Sequence, residues 1–113
     1  MATWVETGYG WLSRAAASWT AAEQDPQSIA VADEAVASVN AARGAVEQAA
    51  LAVLELAERG VGAAGLIAPH PLERGIRDLR TYLRQPNPDG ALSALGDAVA
   101  DGRWEPGRRA GRP

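Results

Sequence analysis

The sequence predicts an all-α fold, an up-and-down helical bundle of three main helices and a short fourth over residues 1–101. Three observations carry this prediction. Apolar residues recur at steps of three and four through most of the chain, which is the period of a helix with one buried face. Clusters of Gly, Pro, Asn and Asp fall between those periodic stretches and mark where each helix stops. Alanine is the commonest residue and phenylalanine is absent, so any core must rest on small and aliphatic side chains packed between closely approaching helices.

The first helix is expected from about Thr3 to Gln24, where Trp4, Trp11, Leu12, Ala15, Ala16, Trp19 and Ala22 share one face. Asp25-Pro26 breaks it. Asp25 is suited to cap the next helix with Pro26 in the first turn, where a missing N–H is harmless. The second helix, from about Pro26 to Glu58, carries the longest stripe of the chain: Ile29, Ala32, Val36, Val39, Arg43, Val46, Ala50, Val53 and Ala57. Arg43 alone interrupts the stripe. A stem lying along the seam, with its head at solvent or a carboxylate, accounts for it; contact with a ligand is the alternative. The run Arg59 to Gly65, with Gly60, Gly62 and Gly65, ends that helix.

A third helix follows Pro69-His70-Pro71 and presents Leu72, Ile76, Leu79 and Leu83 on one face, until Gln85 to Gly90 stops it. Ala91 to Val99 is a short amphipathic fourth helix with Asp89 near its start. Residues 102–113 hold four arginines, three glycines and two prolines, and are expected to form a disordered basic tail.

Composition narrows the function classes. With 113 residues, 47% of them apolar, the chain is one domain in size and large enough to bury a core. No cysteine and a single histidine leave neither a thiolate nor a multi-histidine metal site. A net charge of −3 does not favour nucleic acid as a partner. Neither a signal peptide nor an apolar run long enough to span a membrane is evident, so the expected location is cytoplasmic.

Chemistry could sit in three places. Arg74, Arg77, Arg80 and Arg84 line one side of the third helix and could grip phosphates, although Glu73 and Asp78 also make an ordinary solvated face of it. The glycine run could bring backbone N–H groups to a phosphate, but it lacks the strand-then-helix setting of a dinucleotide fingerprint. His70 stands alone between prolines, without the partner that general-base work needs, which favours a structural role.

Taken together, Gly62-Ala63-Ala64-Gly65-Leu66 followed by His70-Pro71-Leu72-Glu73-Arg74-Gly75-Ile76-Arg77-Asp78-Leu79-Arg80 resembles the late C-terminal segment of the acyl-CoA dehydrogenase family. In that family a glycine turn precedes a helix carrying an Arg-Asp pair. The resemblance implies a helical bundle that packs beneath FAD, borders an acyl-CoA pocket and forms the core of a dimer or tetramer. It places Gly62, Ala63 and Gly65 in a turn against the adenosine diphosphate half of FAD from a neighbouring subunit. It makes Arg59, which stands where many members have Gln, and Arg77 of the Arg-Asp pair the candidate cofactor-binding guanidinium groups.

The family's catalytic glutamate position falls on Pro86, and proline cannot abstract a proton; Asp89, three positions on, is a weak substitute. No catalytic residue is therefore assigned. The resemblance implies a C-terminal domain fragment or split subunit of an FAD flavoenzyme whose parental reaction is α,β-dehydrogenation of an acyl-CoA thioester, inactive alone and working as a homo-oligomer or with a companion subunit. A dehydrogenase-like branch that uses the bundle for oxygenation is a related reading. The alternative from a different class is a non-enzymatic helical dimerisation or interaction module built on the long Ala/Val stripe.

Overall fold

The computed structural model describes residues 1–108. Among them are four α-helices and no strand: α1 (Ala2–Gln24), α2 (Ile29–Val61), α3 (Pro71–Leu83) and α4 (Pro88–Ala100), with a 3-10 turn, Ala63–Leu66, between α2 and α3. The molecule measures 54 × 25 × 23 Å. Its length is that of α2, since 33 residues at about 1.5 Å each reach about 50 Å. A Cα radius of gyration of 17.0 Å exceeds the ~13 Å of a compact domain this size, so much of the chain lies near a surface.

α1 folds back along α2 as a helical hairpin, and its connection differs from the expected one by three residues. Asp25 ends α1, donating its N–H to the Ala21 carbonyl at 3.1 Å, and Ser28 caps α2 by accepting from the Val31 N–H at 3.3 Å. Ser28 holds the β-region backbone geometry of an N-cap and its hydroxyl reaches the Val31 N–H, so α2 starts at Ile29. The far end runs past the expected Glu58 to Val61. Gly62 stops it with φ of +78°, a conformation that side-chain-bearing residues rarely adopt, and donates its N–H to the Glu58 carbonyl at 2.9 Å.

The buried faces of both helices are not the ones the large apolar residues predict. On α1, Gly8, Ala15 and Ser18 are buried while Trp4, Leu12 and Trp19 stay exposed. On α2, Ala35, Ala37, Ser38, Ala41, Ala42, Ala49 and Leu54 are buried, whereas Ile29 is 79% exposed and Val36 and Val39 also face outward. The reason is steric. Two helices approach most closely where side chains are smallest, and Gly8, Ala15 and Ser18, at heptad-like spacings, meet the alanine and serine side of α2. Ser18 marks the seam by donating its hydroxyl to Ser38 Oγ at 3.2 Å.

α4 packs on the other side of α2, where Ala37, Ala41, Ala98 and Trp104 form a core cluster with Trp11 and Leu95 against it. α4 itself starts earlier than expected, at Pro88, because the Asn87 side chain accepts from the Gly90 N–H at 3.1 Å and so caps a helix whose first residue is proline. Trp104 corrects the expected tail. Only 5% exposed, it belongs to the packed unit, so burial continues beyond residue 101. Residues 109–113, the rest of that tail, lie outside the described residues.

α3 runs antiparallel to the second half of α2 and is held largely by polar contacts. Arg43 donates to the carbonyls of Leu83 and Gln85, the latter at 3.1 Å, and pairs with Glu47 at 3.1 Å. A guanidinium over the last carbonyls of a helix satisfies groups that lack an intrahelical partner and opposes the negative end of the helix dipole. Arg43 thus joins two helices, which explains its place in an otherwise apolar stripe. Arg84 reaches the same Glu47 at 3.6 Å, Arg80 pairs with Glu58 at 3.0 Å, and Ile76 supplies the buried apolar contact.

Candidate functional site

The five residues nominated for cofactor binding fall at one end of the molecule, around the last turn of α2, the 3-10 turn and α3. Arg59 lies in the last turn of α2, mostly exposed, paired with Glu55 at 2.6 Å. Gly62 is the helix cap, and nothing lies within 4 Å of where its side chain would be, so its backbone is open to an approaching group. Ala63 starts the 3-10 turn, and Gly65 is buried within it. A Cβ at Gly65 would sit 2.7 Å from Val61 Cγ1 and 3.1 Å from Leu72 Cδ2. Its missing side chain is therefore explained by the fold's own packing, and of the two glycines only Gly62 faces open space.

Arg77 pairs with Glu73 at 3.1 Å, one helical turn away. Its neighbours behave alike. Arg74 meets Asp78 at 3.4 Å, and Arg84 meets Asp89 at 2.6 Å, a hydrogen-bonded ion pair that raises the Arg84 pKa further above its ordinary value. Arg77–Glu73 and Arg74–Asp78 are exposed pairs of the i,i+4 kind, each worth about 0.3–0.5 kcal/mol, whereas Arg84–Asp89 spans five residues and ties the end of α3 to the first turn of α4. Such pairs neutralise the face at rest yet cost little to exchange for a phosphate. The Arg80–Glu58 pair sets this face against the end of α2, one residue from Arg59 and one turn from Arg77.

Two other candidates have structural roles. His70 caps α3, its Nδ1 accepting from the Leu72 N–H at 3.1 Å. Asp89, the weak substitute for a catalytic base, is bound to Arg84 in the first turn of α4. Among the described residues there is no group of three or more metal-ligating side chains, and no helix is long and apolar enough to cross a membrane.

Two features escaped the reading of the sequence. The first is a clasp midway along the helical hairpin. Arg14 stacks over the Trp104 ring at 4.6 Å and Trp11 at 5.6 Å, and donates to the Arg108 carbonyl at 2.7 Å. Trp104 in turn donates its indole N–H to Ser38 Oγ at 3.1 Å. Ser38 accepts from Trp104 and Ser18 and donates to Glu34 at 3.3 Å, which uses the full capacity of a buried hydroxyl. The signal in the sequence was a lone tryptophan inside a basic, glycine-rich stretch.

The second feature is a groove of about 340 Å³ between α1 and α2, closed at one side by Leu79 of α3. Trp4, Tyr9 and Leu12 rise along one wall; Gly8, Ala49 and Ala50 lie in its lining, and none of its residues is charged. Trp4 and Leu12, two residues of the α1 face that the periodicity marks as core, line this groove, whereas Ala15 of that face is buried and Trp11 packs against the core cluster. None of the five nominated cofactor residues touches it.

No protein-family model, curated protein or solved structure matches this chain. The resemblance to acyl-CoA dehydrogenases accordingly rests on the residues of the glycine turn and α3.

Proposed function

We propose that this chain is the helical association bundle of an acyl-CoA dehydrogenase-like FAD enzyme, as a C-terminal domain fragment or a split subunit, and that it is not a catalyst by itself. The parental reaction on this reading is α,β-dehydrogenation of an acyl-CoA thioester. The observation that carries the association role is the uncharged apolar groove along α1 and α2, open on an elongated molecule. A surface of that kind is a binding site or an aggregation hazard. The flavin side of the reading is supported by the order of the motif, by the open backbone at Gly62 and by two exposed guanidinium groups, Arg59 and Arg77, tied only by weak local pairs.

When bound, FAD supplies the hydride-accepting chemistry. The chain's contribution would be to bind and orient: the Gly62 turn would let backbone approach the adenosine diphosphate half, and Arg59 and Arg77, released from Glu55 and Glu73, would hold its phosphates by charge-assisted hydrogen bonds. Proton abstraction has no agent here, since Pro86 occupies the family's base position and Asp89 is paired with Arg84. The test is a titration of FAD with the purified chain, followed by flavin fluorescence anisotropy. Saturable binding is expected, weakened by Gly62→Val and by Arg77→Ala, with no turnover of an acyl-CoA. Absence of saturable binding leaves the chain as a helical interaction module without a flavin role.

A further inference from the structure

We propose that the cleft between α1 and the segment after α4 binds a small aromatic carboxylate, with Arg14 as the anchor of its anionic group. The cleft holds about 630 Å³, within the ~300–1,000 Å³ of small-molecule sites, and is bordered by Trp11, Arg14 and Gly107. None of the five residues nominated for flavin binding lines it, so the proposal goes beyond the function proposed above and stands without it. The carrying observation is the state of Arg14. The seven arginines from Arg43 to Arg103 each meet a carboxylate at 3.4 Å or closer. Arg14, with its side chain only 20% exposed, is the least accessible of these guanidinium groups, and its nearest carboxylate, Glu34, stands off at 3.8 Å. A charge largely removed from water costs stability unless an anion is hydrogen-bonded to it.

Arg14 keeps donors for such an anion. Nη2 is engaged by the carbonyls of Glu105 and Arg108, Nη1 has no acceptor among the described residues, and Nε is buried without one. The hydroxyls of the cleft divide by role. Those of Thr7 and Ser18 give their protons to the Thr3 carbonyl and to Ser38, so they present lone pairs, whereas Ser13 is exposed and able to donate. An anion is therefore met at one place, beside Arg14 and Ser13. The rest of the lining is apolar. Trp11 offers a ring surface for stacking, and Gly10 and Ala17 leave open ground beside it, with nothing within 4 Å of where a Gly10 side chain would be. A planar ring carrying one carboxylate matches both parts. A polyphosphate does not, since a single guanidinium with half its donors engaged cannot offset several charges.

The experiment is isothermal titration calorimetry of the full chain with naphthoate. Saturable one-to-one binding is expected. Naphthamide, with the same shape and no charge, and hexanoate, with the charge and no ring, should each bind at least about tenfold more weakly. Arg14→Gln should weaken naphthoate at least about tenfold. Gly10→Leu fills the cleft from an exposed helical position, leaves the arginine in place and should abolish binding, while Gly96→Leu, the matched change on the exposed side of α4, should leave it unaltered. Circular dichroism of each variant separates loss of binding from loss of fold. No saturable binding overturns the proposal, as does equal binding of naphthamide, or a folded Gly10→Leu chain that binds like the wild type. Hexanoate binding as tightly as naphthoate overturns the aromatic class. Displacement of naphthoate by FAD overturns the separation of this cleft from the flavin site and leaves the flavoenzyme reading in place.

Discussion

Replacing Trp104 by alanine tests the packing account in one step. Trp104 is 5% exposed, lies against Ala37, Ala41 and Ala98, stacks under Arg14 and donates to Ser38. Truncating a buried tryptophan costs about 3–5 kcal/mol, because the transfer energy of the ring is lost and a cavity remains between helices that cannot fully collapse. Ser38 loses one donor but keeps Ser18 and Glu34, so no unpaired hydroxyl adds to the loss. Stability for a chain of this length is about 6–17 kcal/mol, so the substitution removes a large share of it. With unfolding entropy near 2.1 cal/mol/K per residue, a loss of ~4 kcal/mol lowers Tm by about 17 °C. Thermal unfolding followed by far-ultraviolet circular dichroism, with urea unfolding alongside, reads both numbers. Trp19→Ala is the matched control: at 53% exposed it should cost about 1 kcal/mol or less. Equal effects at the two tryptophans would refute the assignment of Trp104 to the core.

Two further substitutions probe the seam and the turn. Ser38→Ala removes the acceptor of both the Trp104 indole N–H and the Ser18 hydroxyl, and a loss of about 1–3 kcal/mol in urea unfolding is expected. Gly65→Ala forces a methyl against Val61 and Leu72 and should cost about 1–3 kcal/mol in the same assay, whereas Gly60→Ala, with open space around it and a helical backbone, should be neutral or stabilising.

The elements were legible in the sequence, but the faces they bury were not. Helix existence follows from strong local signals, with Asp25-Pro26, the glycine run and the Gln85–Gly90 stretch separating periodic segments. Boundaries moved by up to three residues at each cap because several residues nearby can serve, as Ser28 and Asp25 do before α2. The choice of face failed for a different reason. With alanine spread around α2, the periodicity of the larger residues traces a stripe and predicts it as the buried side. Close helix approach needs the opposite, so Ala35, Ser38, Ala42 and Ala49 went inside while Val36 and Val39 stayed out. The same logic turned the Trp4, Leu12 and Trp19 side of α1 outward.

At the nominated site, residue types and order were readable while their partners were not. Arg59 and Arg77 each have a carboxylate four residues earlier, a spacing visible in the sequence, and the pairs form. The clasp of Arg14, Trp104 and Ser38 joins residues 24 and 66 positions from Ser38, a separation that no local pattern reports. Arg43 shows both cases at once: its Glu47 partner lies one turn along α2, but the carbonyls it binds at the end of α3 lie 40 and 42 residues away.

On the proposed flavin reading, the glycine turn at Gly62 would lie against the adenosine diphosphate half of the cofactor and not the isoalloxazine ring. The measurement that addresses it most directly is displacement of FAD from the purified chain, with ADP and with FMN as competitors. ADP is expected to displace FAD and FMN to leave it in place. Displacement by FMN in preference to ADP, or no bound FAD to displace, contradicts the account.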